Sequence, residues 1–187
     1  MLALVHLRKN ETIPARAAGF GVSTATAWRY VDETLDVLAA WAPALQEALV
    51  GLGKGDFVIV DGTLIATDRV HADEPFQVIA RPDGTPLTAA RAHGIIQACL
   101  TRQILVLADR AYQRAGATVR IPYKNHREQP ARYQEFNRDH ARLRAPGERA
   151  FAQLKSWRLL RRARCSTPRI GTIVQAIHTL MTCDHSG

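Results

Sequence analysis

The feature that most constrains the fold is the apolar run Ile104-Leu-Val-Leu-Ala108, which Asp109 follows at once. An unbroken apolar run of this length, between a helical segment and a turn, is typical of a strand buried on both faces of a sheet. A second strand is predicted over residues 57–65, and it carries Asp61. Burying an unpartnered carboxylate costs on the order of several kcal/mol, so Asp61 requires a cation, a metal or a turn. Asp61-Gly62 is also a common hairpin turn, and this alternative stays open.

The first 40 residues have the pattern of helices. Ser23 is a good N-cap, and apolar residues follow it at helical spacing up to Leu38. With a turn at Gly21, the stretch ARAAGFGVSTATAWRYV predicts a helix-turn-helix, although a plain helical hairpin is an equal alternative. The residues that would face a DNA groove are Thr24, Thr26, Trp28 and Arg29.

Beyond residue 50 the hydrophobic period alternates between strand and helix. The sequence predicts strands at 76–80 and 119–123, a tight turn at 82–84 and a strand stub at 86–87. Helices are predicted over 89–100, from Pro146 to about Arg162, and from Ser166 onward, the last with Pro168 at its first position. This order predicts an α/β fold with a sheet flanked by helices. The predicted domains are a helix-turn-helix DNA-binding region at 1–50 and a sheet domain at 51–187.

The charge is concentrated in one part of the chain. The net charge is +8, with 25 Lys and Arg against 17 Asp and Glu, but residues 110–169 alone carry 16 basic and 4 acidic residues. A basic segment of this strength favours a polyanion such as DNA, and a solvated basic face is the alternative. Within the segment, the residues predicted to contact DNA phosphates are Arg110, Arg114, Lys124, Arg127, Lys155, Arg158 and Arg162.

Other classes of protein fit the composition poorly. No apolar run approaches the ~20 residues of a membrane span, so we expect a cytoplasmic protein that associates with the nucleoid through DNA and has no membrane partner. The three cysteines, Cys99, Cys165 and Cys183, are widely spaced and form no C-x-x-C pair. Buried or bystander thiols are therefore expected rather than a disulfide framework or a zinc site.

Three carboxylates form the candidate catalytic and metal site. Asp61 and Asp109 lie on predicted strands that would meet at one edge of a sheet, and Glu148 would lie in the first turn of the helix from Pro146, where the macrodipole favours it. With a basic surface, three such carboxylates suit two-metal phosphodiester chemistry with Mg²⁺ or Mn²⁺. Taken singly, each could instead be a turn, a cap or a surface charge. Lys155 and Arg162 would follow Glu148 along one helix face.

Three segments together resemble a known family. The stretches VIVDGTLIATDRV, LVLADRAYQRAGATVRIPYK and FNRDHARLRAPGERAFAQLKSWRLLRRARCST are similar to insertion-sequence transposases of the DDE superfamily. The resemblance implies an RNase H-like mixed-sheet core behind a helix-turn-helix, with Asp61, Asp109 and Glu148 as the catalytic carboxylates. It further implies a homo-oligomer that cuts transposon ends and joins them to target DNA.

The chain also departs from the family pattern. Only 48 positions separate Asp61 from Asp109, a full third strand and the family's His-Asp pair are absent from this interval, and the N-terminus begins within the first helix of the DNA-binding unit. These departures predict a copy shortened by internal and N-terminal deletions. Two alternatives therefore stay open: a non-catalytic DNA-binding remnant, and an RNase H-like nuclease of another role.

Overall fold

The computed structural model describes residues 1–63, 65, 86–116 and 118–183. Within these ranges the chain forms two compact units, one of residues 1–43 with 65 and 152–183, the other of residues 44–63 with 86–151. The predicted division at residue 50 stays a prediction. Within the described ranges, no helix is long and apolar enough to cross a membrane.

The first unit is helical. It contains α1 (Leu2–Lys9), α2 (Ile13–Gly19), α3 (Thr24–Ala40), a 3₁₀ turn (Arg158–Leu160) and α8 (Thr167–Cys183). The predicted start of α3 is confirmed, because the Ser23 hydroxyl accepts a hydrogen bond from the backbone N–H of Thr26 at 3.1 Å. Gly21 makes the preceding turn with φ of 64°, a conformation that favours glycine. The core of this unit includes Leu7, Val31, Leu35, Leu160, Ile173 and Ile177.

In the part of the second unit that the structure describes, the chain forms a three-stranded sheet. Its strands are β1 (Phe57–Val60), β2 (Leu105–Ala108) and β3 (Val119–Arg120), which are mutually parallel and lie in the order β1-β2-β3. The helices of this part of the chain are α4 (Leu45–Ala48), α5 (Pro86–Ala92), α6 (Ile95–Thr101) and α7 (Ala131–Ser156). The predicted α/β class, with a sheet flanked by helices and a helical N-terminal region, is confirmed. The central strand β2 is buried from Val106 to Ala108, as its apolar run predicts.

The predicted helix boundary at Pro146 is wrong. Helix α7 begins fifteen residues earlier, at Ala131, and contains Pro146 in its interior. Proline favours the first turn of a helix because it lacks a backbone N–H, and this preference misplaced the start. Glu148 therefore lies deep inside the helix, so the macrodipole argument for its position fails. The helix ends at Ser156, so Arg162 does not lie on the same helical face as Glu148.

Other boundaries differ in smaller ways. Strand β1 ends at Val60, so Asp61 follows the strand instead of interrupting it. The predicted stub at 86–87 is the start of α5, and the predicted helix 89–100 is divided between α5 and α6 at Gly94, whose φ is 68°. Strand β3 has two residues, Val119 and Arg120, rather than the five predicted over residues 119–123. The predicted strand at 76–80 and turn at 82–84 lie outside the described residues.

Candidate active site

Asp61 and Asp109 come together at one edge of the sheet. Each follows the last residue of its strand, and those last residues, Val60 and Ala108, are register partners in the parallel β1–β2 pair. The ends of adjacent parallel strands thus place both carboxylates at the carboxyl edge, where open α/β sheets carry their functional groups.

Each of these carboxylates also has a local hydrogen bond. Asp61 Oδ1 accepts from the backbone N–H of Gly62 at 2.8 Å. Asp109 Oδ1 accepts from the N–H of Ala111 at 2.9 Å and so caps the 3₁₀ turn Arg110–Tyr112. The hairpin alternative for Asp61-Gly62 is not supported, since a type I′ turn requires positive φ at both central residues and Gly62 has none.

Arg144 on α7 links the edge of the sheet to Glu148. One of its terminal guanidinium nitrogens lies 2.9 Å from Asp61 Oδ2, and the other lies 4.0 Å from Glu148 Oε1, one helical turn further on. Arg144 is 9% exposed, whereas the side chain of Glu148 is 63% exposed. Sequence reasoning missed Arg144. Its spacing of four residues before Glu148 was the available clue, because residues at i and i+4 share a helix face.

A glycine brings α7 close enough for these contacts. A Cβ atom on Gly147 would lie 2.8 Å from Cγ2 of Ile59 on β1, closer than real side-chain contacts allow. A second attachment lies nearer the start of the helix. The Asn137 side chain accepts from the N–H of Tyr123 at 2.7 Å and donates to its carbonyl at 3.1 Å. These two contacts fix the distance and the orientation of the helix that carries Arg144 and Glu148.

Tyr112 is sensitive to the charges at this edge. Burial, together with the Asp61 and Asp109 carboxylates, raises the pKa of its phenol to about 12, and the Arg144 charge opposes this increase. The pKa of this one buried hydroxyl therefore depends on both carboxylates and on the guanidinium. At neutral pH it is a neutral phenol beside two acids.

The carboxylates do not form a closed metal cluster. Within the described ranges, no group of three or more His, Cys, Asp or Glu side chains is placed to hold a metal ion. Asp61 and Glu148 instead share the Arg144 guanidinium. The oxygen-only donors suit Mg²⁺ or Mn²⁺, which need few protein ligands. The donor chemistry therefore fits such a cation, although Arg144 already holds one of the Asp61 oxygens.

The predicted DNA-reading residues lie at the start of α3. Thr24 and Arg29 are exposed, Thr26 is partly buried, and Trp28 is 51% exposed. Acidic residues later in α3 would repel DNA phosphates if their charges were not paired. Arg169 of α8 forms ion pairs with two of them, Asp32 and Asp36, so one of these two negative charges is compensated within the unit.

The predicted phosphate-binding residues are divided between the two units. In the second unit Arg114, Lys124 and Arg127 are exposed and Arg110 is partly exposed. In the first unit Lys155, Arg158 and Arg162 are exposed. Their exposure is compatible with DNA contacts, and their individual roles stay predictions.

The chain belongs to the DDE superfamily of endonucleases. The family model described as "DDE superfamily endonuclease" matches residues 86–182, and the model "Helix-turn-helix of DDE superfamily endonuclease" matches residues 1–43. A relative from Streptomyces albus G is 30% identical over 189 residues, which cover 88% of this chain and 70% of the relative. It is named "Putative transposase for insertion sequence element IS112". No solved structure matches the chain. The helix-turn-helix and the relationship to transposases are thus confirmed.

Proposed function

We propose that this protein is a metal-dependent DNA transposase that cleaves phosphodiester bonds at transposon ends and transfers the freed 3′ ends to target DNA. The observation that supports it most is the placement of Asp61 and Asp109 after paired parallel strands, with Arg144 joining Asp61 to Glu148. Arg144 thus contacts two of the three candidate carboxylates, and the third, Asp109, follows the strand next to that of Asp61, in a chain of the DDE superfamily.

The residues proposed to hold divalent metal ions are Asp61, Asp109 and Glu148. Bound Mg²⁺ or Mn²⁺ would activate the attacking water and stabilise the leaving 3′ oxygen. Within the chain, Tyr112 offers a neutral hydroxyl near the two aspartates, since a phenol keeps its proton at neutral pH and the raised pKa of Tyr112 moves its ionisation further from that range. Gly147 and Asn137 hold the helix that supplies Glu148.

DNA would be held by both units. The exposed start of α3 is proposed to enter a groove, and seven basic residues are proposed to contact phosphates, namely Arg110, Arg114, Lys124, Arg127, Lys155, Arg158 and Arg162. A working transposase of this type would be a homo-oligomer associated with the nucleoid.

A second candidate is a DNA-binding protein without catalysis. It is favoured by the ion pair between Arg144 and Asp61, which leaves the Asp61 carboxylate compensated without a metal. Such a protein would bind DNA with a steep salt dependence and no requirement for Mg²⁺, because counterion release contributes to binding without a bound metal.

Nicking of supercoiled DNA distinguishes the two candidates. Purified protein should nick the plasmid with Mg²⁺ or Mn²⁺ and not with EDTA, and Asp109→Asn should abolish nicking while DNA binding persists. Asparagine keeps the shape and an acceptor oxygen but removes the negative charge. Metal-independent binding without nicking by the wild type would favour the non-catalytic candidate. Nicking that survives in Asp109→Asn would exclude the proposed site.

A further inference from the structure

Arg144 occupies an unusual position for an arginine. It is almost fully buried, it lies between two carboxylates proposed to hold metal, and its Nε has no hydrogen-bond acceptor among the described residues. Arginine stays charged in proteins, so it supplies a permanent positive charge at this point. A buried charge normally requires full pairing, and this one is paired through its terminal nitrogens only.

We propose that Arg144 is an internal counter-ion for Asp61 that competes with divalent metal. The inference rests on the proposed function, because it assumes that Asp61 is a metal ligand. The guanidinium neutralises Asp61 and lies within ion-pair distance of Glu148. A divalent cation on Asp61 would place a second positive charge beside the first, so the Arg144–Asp61 contact must lengthen or break as metal binds.

The geometry of the ion pair makes the competition direct. The guanidinium hydrogen bond goes to Oδ2 of Asp61, while Oδ1 is held by the N–H of Gly62. Both oxygens of the carboxylate therefore already accept hydrogen bonds within the protein. Metal affinity and the strength of the ion pair are then linked, and each must weaken the other by the same factor.

Metal titration of Arg144→Gln tests the proposal. The variant removes the charge and keeps a polar side chain, and Arg142→Gln is the matched control, because Arg142 is an exposed arginine two residues earlier on the same helix. With Mn²⁺ followed by isothermal titration calorimetry on the full chain, Arg144→Gln should bind metal about tenfold more tightly than the wild type. Arg142→Gln should stay within about twofold of the wild type, since an exposed charge is screened.

The outcomes separate this inference from the proposed function. Tighter binding by Arg144→Gln alone supports the competition. Equal or weaker binding by Arg144→Gln, in a wild type that binds Mn²⁺, overturns the inference and leaves the proposed metal site standing. Failure of all three proteins to bind Mn²⁺ overturns the proposed metal site, and the inference with it.

A measurement on the unaltered protein covers the case in which Arg144→Gln does not fold. The Nε–Hε resonance of Arg144 in wild-type protein should shift during a Mg²⁺ titration and follow the same dissociation constant as calorimetry. An Arg144 resonance that stays fixed while Mg²⁺ binds would overturn the competition.

Discussion

At the scale of single residues, Asp109 has a structural role beside its proposed chemical one. Its carboxylate caps the 3₁₀ turn through the N–H of Ala111. We expect Asp109→Ala to lower the free energy of unfolding by about 1 kcal/mol, the usual cost of losing a cap, whereas Asp109→Asn keeps an acceptor and should cost less. Urea unfolding of both variants measures the difference. Equal losses would show that asparagine does not preserve the cap and would weaken Asp109→Asn as a structure-preserving control, whereas no loss in Asp109→Ala would show that the cap contributes nothing.

His6 gives the first unit a pH dependence. Burial lowers the pKa of its imidazole below the usual 6.5, the backbone of Glu11 opposes the shift, and the Arg16 charge adds to it. The unfolded chain therefore binds the proton at higher pH than the folded chain. The stabilisation is complete above pH 6.5 and is lost as the pH falls below that value towards the lowered pKa.

Replacement of His6 tests this dependence. The His6→Gln variant should lose less stability than the wild type between pH 7.5 and pH 5, because it lacks the group that must remain uncharged. Chemical unfolding at both pH values measures the difference. Parallel losses in the two proteins would contradict the assignment to His6.

The residue scale also shows how far the sequence alone could reach. Asp61 and Asp109 were predictable because a carboxylate within or directly after an apolar run stands out against its neighbours, although Asp61 was predicted inside its strand and in fact follows it. Arg144 was not, because it is one of sixteen basic residues in its segment and only the packing of α7 shows that it is buried. Burial of a charge depends on distant parts of the chain, which a local pattern cannot report.

At the scale of elements, the packing of α7 on β1 depends on Gly147. We expect Gly147→Ala to lower the free energy of unfolding by about 1–3 kcal/mol, because the new methyl would overlap the β-branched side chain of Ile59. Gly171 on α8 is the matched control, since a Cβ there meets nothing within 4 Å. The Gly171→Ala variant should gain about 0.5–1 kcal/mol from its better helix propensity. A harmless Gly147→Ala would contradict the close contact.

Lys155 lies in the last turn of α7 and is proposed to contact a DNA phosphate. If the ammonium binds DNA, Lys155→Ala should weaken binding on any sequence and lower the slope of log affinity against log salt by about 1. Metal binding should not change. The exposed neutral neighbour Gln153 supplies the control, and Gln153→Ala should leave the slope as it is. An unchanged slope in Lys155→Ala would remove this residue from the interface.

Element boundaries show why prediction succeeded in one place and failed in another. Helix α3 begins with the Ser23 cap and α8 contains Pro168 in its first turn, so both starts have a local cause. Helix α7 contains its proline, and tertiary contacts such as those of Asn137 and Gly147 override the local preference. Strand β3 is also set by tertiary contacts, because only Val119 and Arg120 of the predicted strand 119–123 pair with β2.

At the scale of the whole molecule, the N-terminal helices share their core with the C-terminal part of the chain. Leu35 of α3 is buried in the same cluster as Leu160 and Ile177. We therefore expect a fragment of residues 1–50 to lack cooperative unfolding on its own, because it would expose the face that α8 covers. Circular dichroism during heating measures this. A fragment that unfolds as cooperatively as the full chain would show that residues 1–50 are an autonomous domain.

A fusion of two segments provides the control for that fragment. Residues 1–43 joined to residues 152–187 by a flexible linker contain all the segments described in the first unit, apart from residue 65. This fusion should regain cooperative unfolding. If neither fragment nor fusion folds, the first unit depends on the rest of the chain.

The central claim is that Asp61, Asp109 and Glu148 act as one site, and Glu148 is the member whose predicted place in its helix was wrong. The most direct test is the rate of Mg²⁺-dependent nicking by Glu148→Gln, with Glu128→Gln, an exposed acid in the same basic segment, as the control. We predict that Glu148→Gln reduces the rate at least ~100-fold, and that adding Asp109→Asn reduces it little further, because residues of one catalytic unit are not additive. The Glu128→Gln control should nick at the wild-type rate. Wild-type nicking by Glu148→Gln would contradict the claim that the three carboxylates form one site.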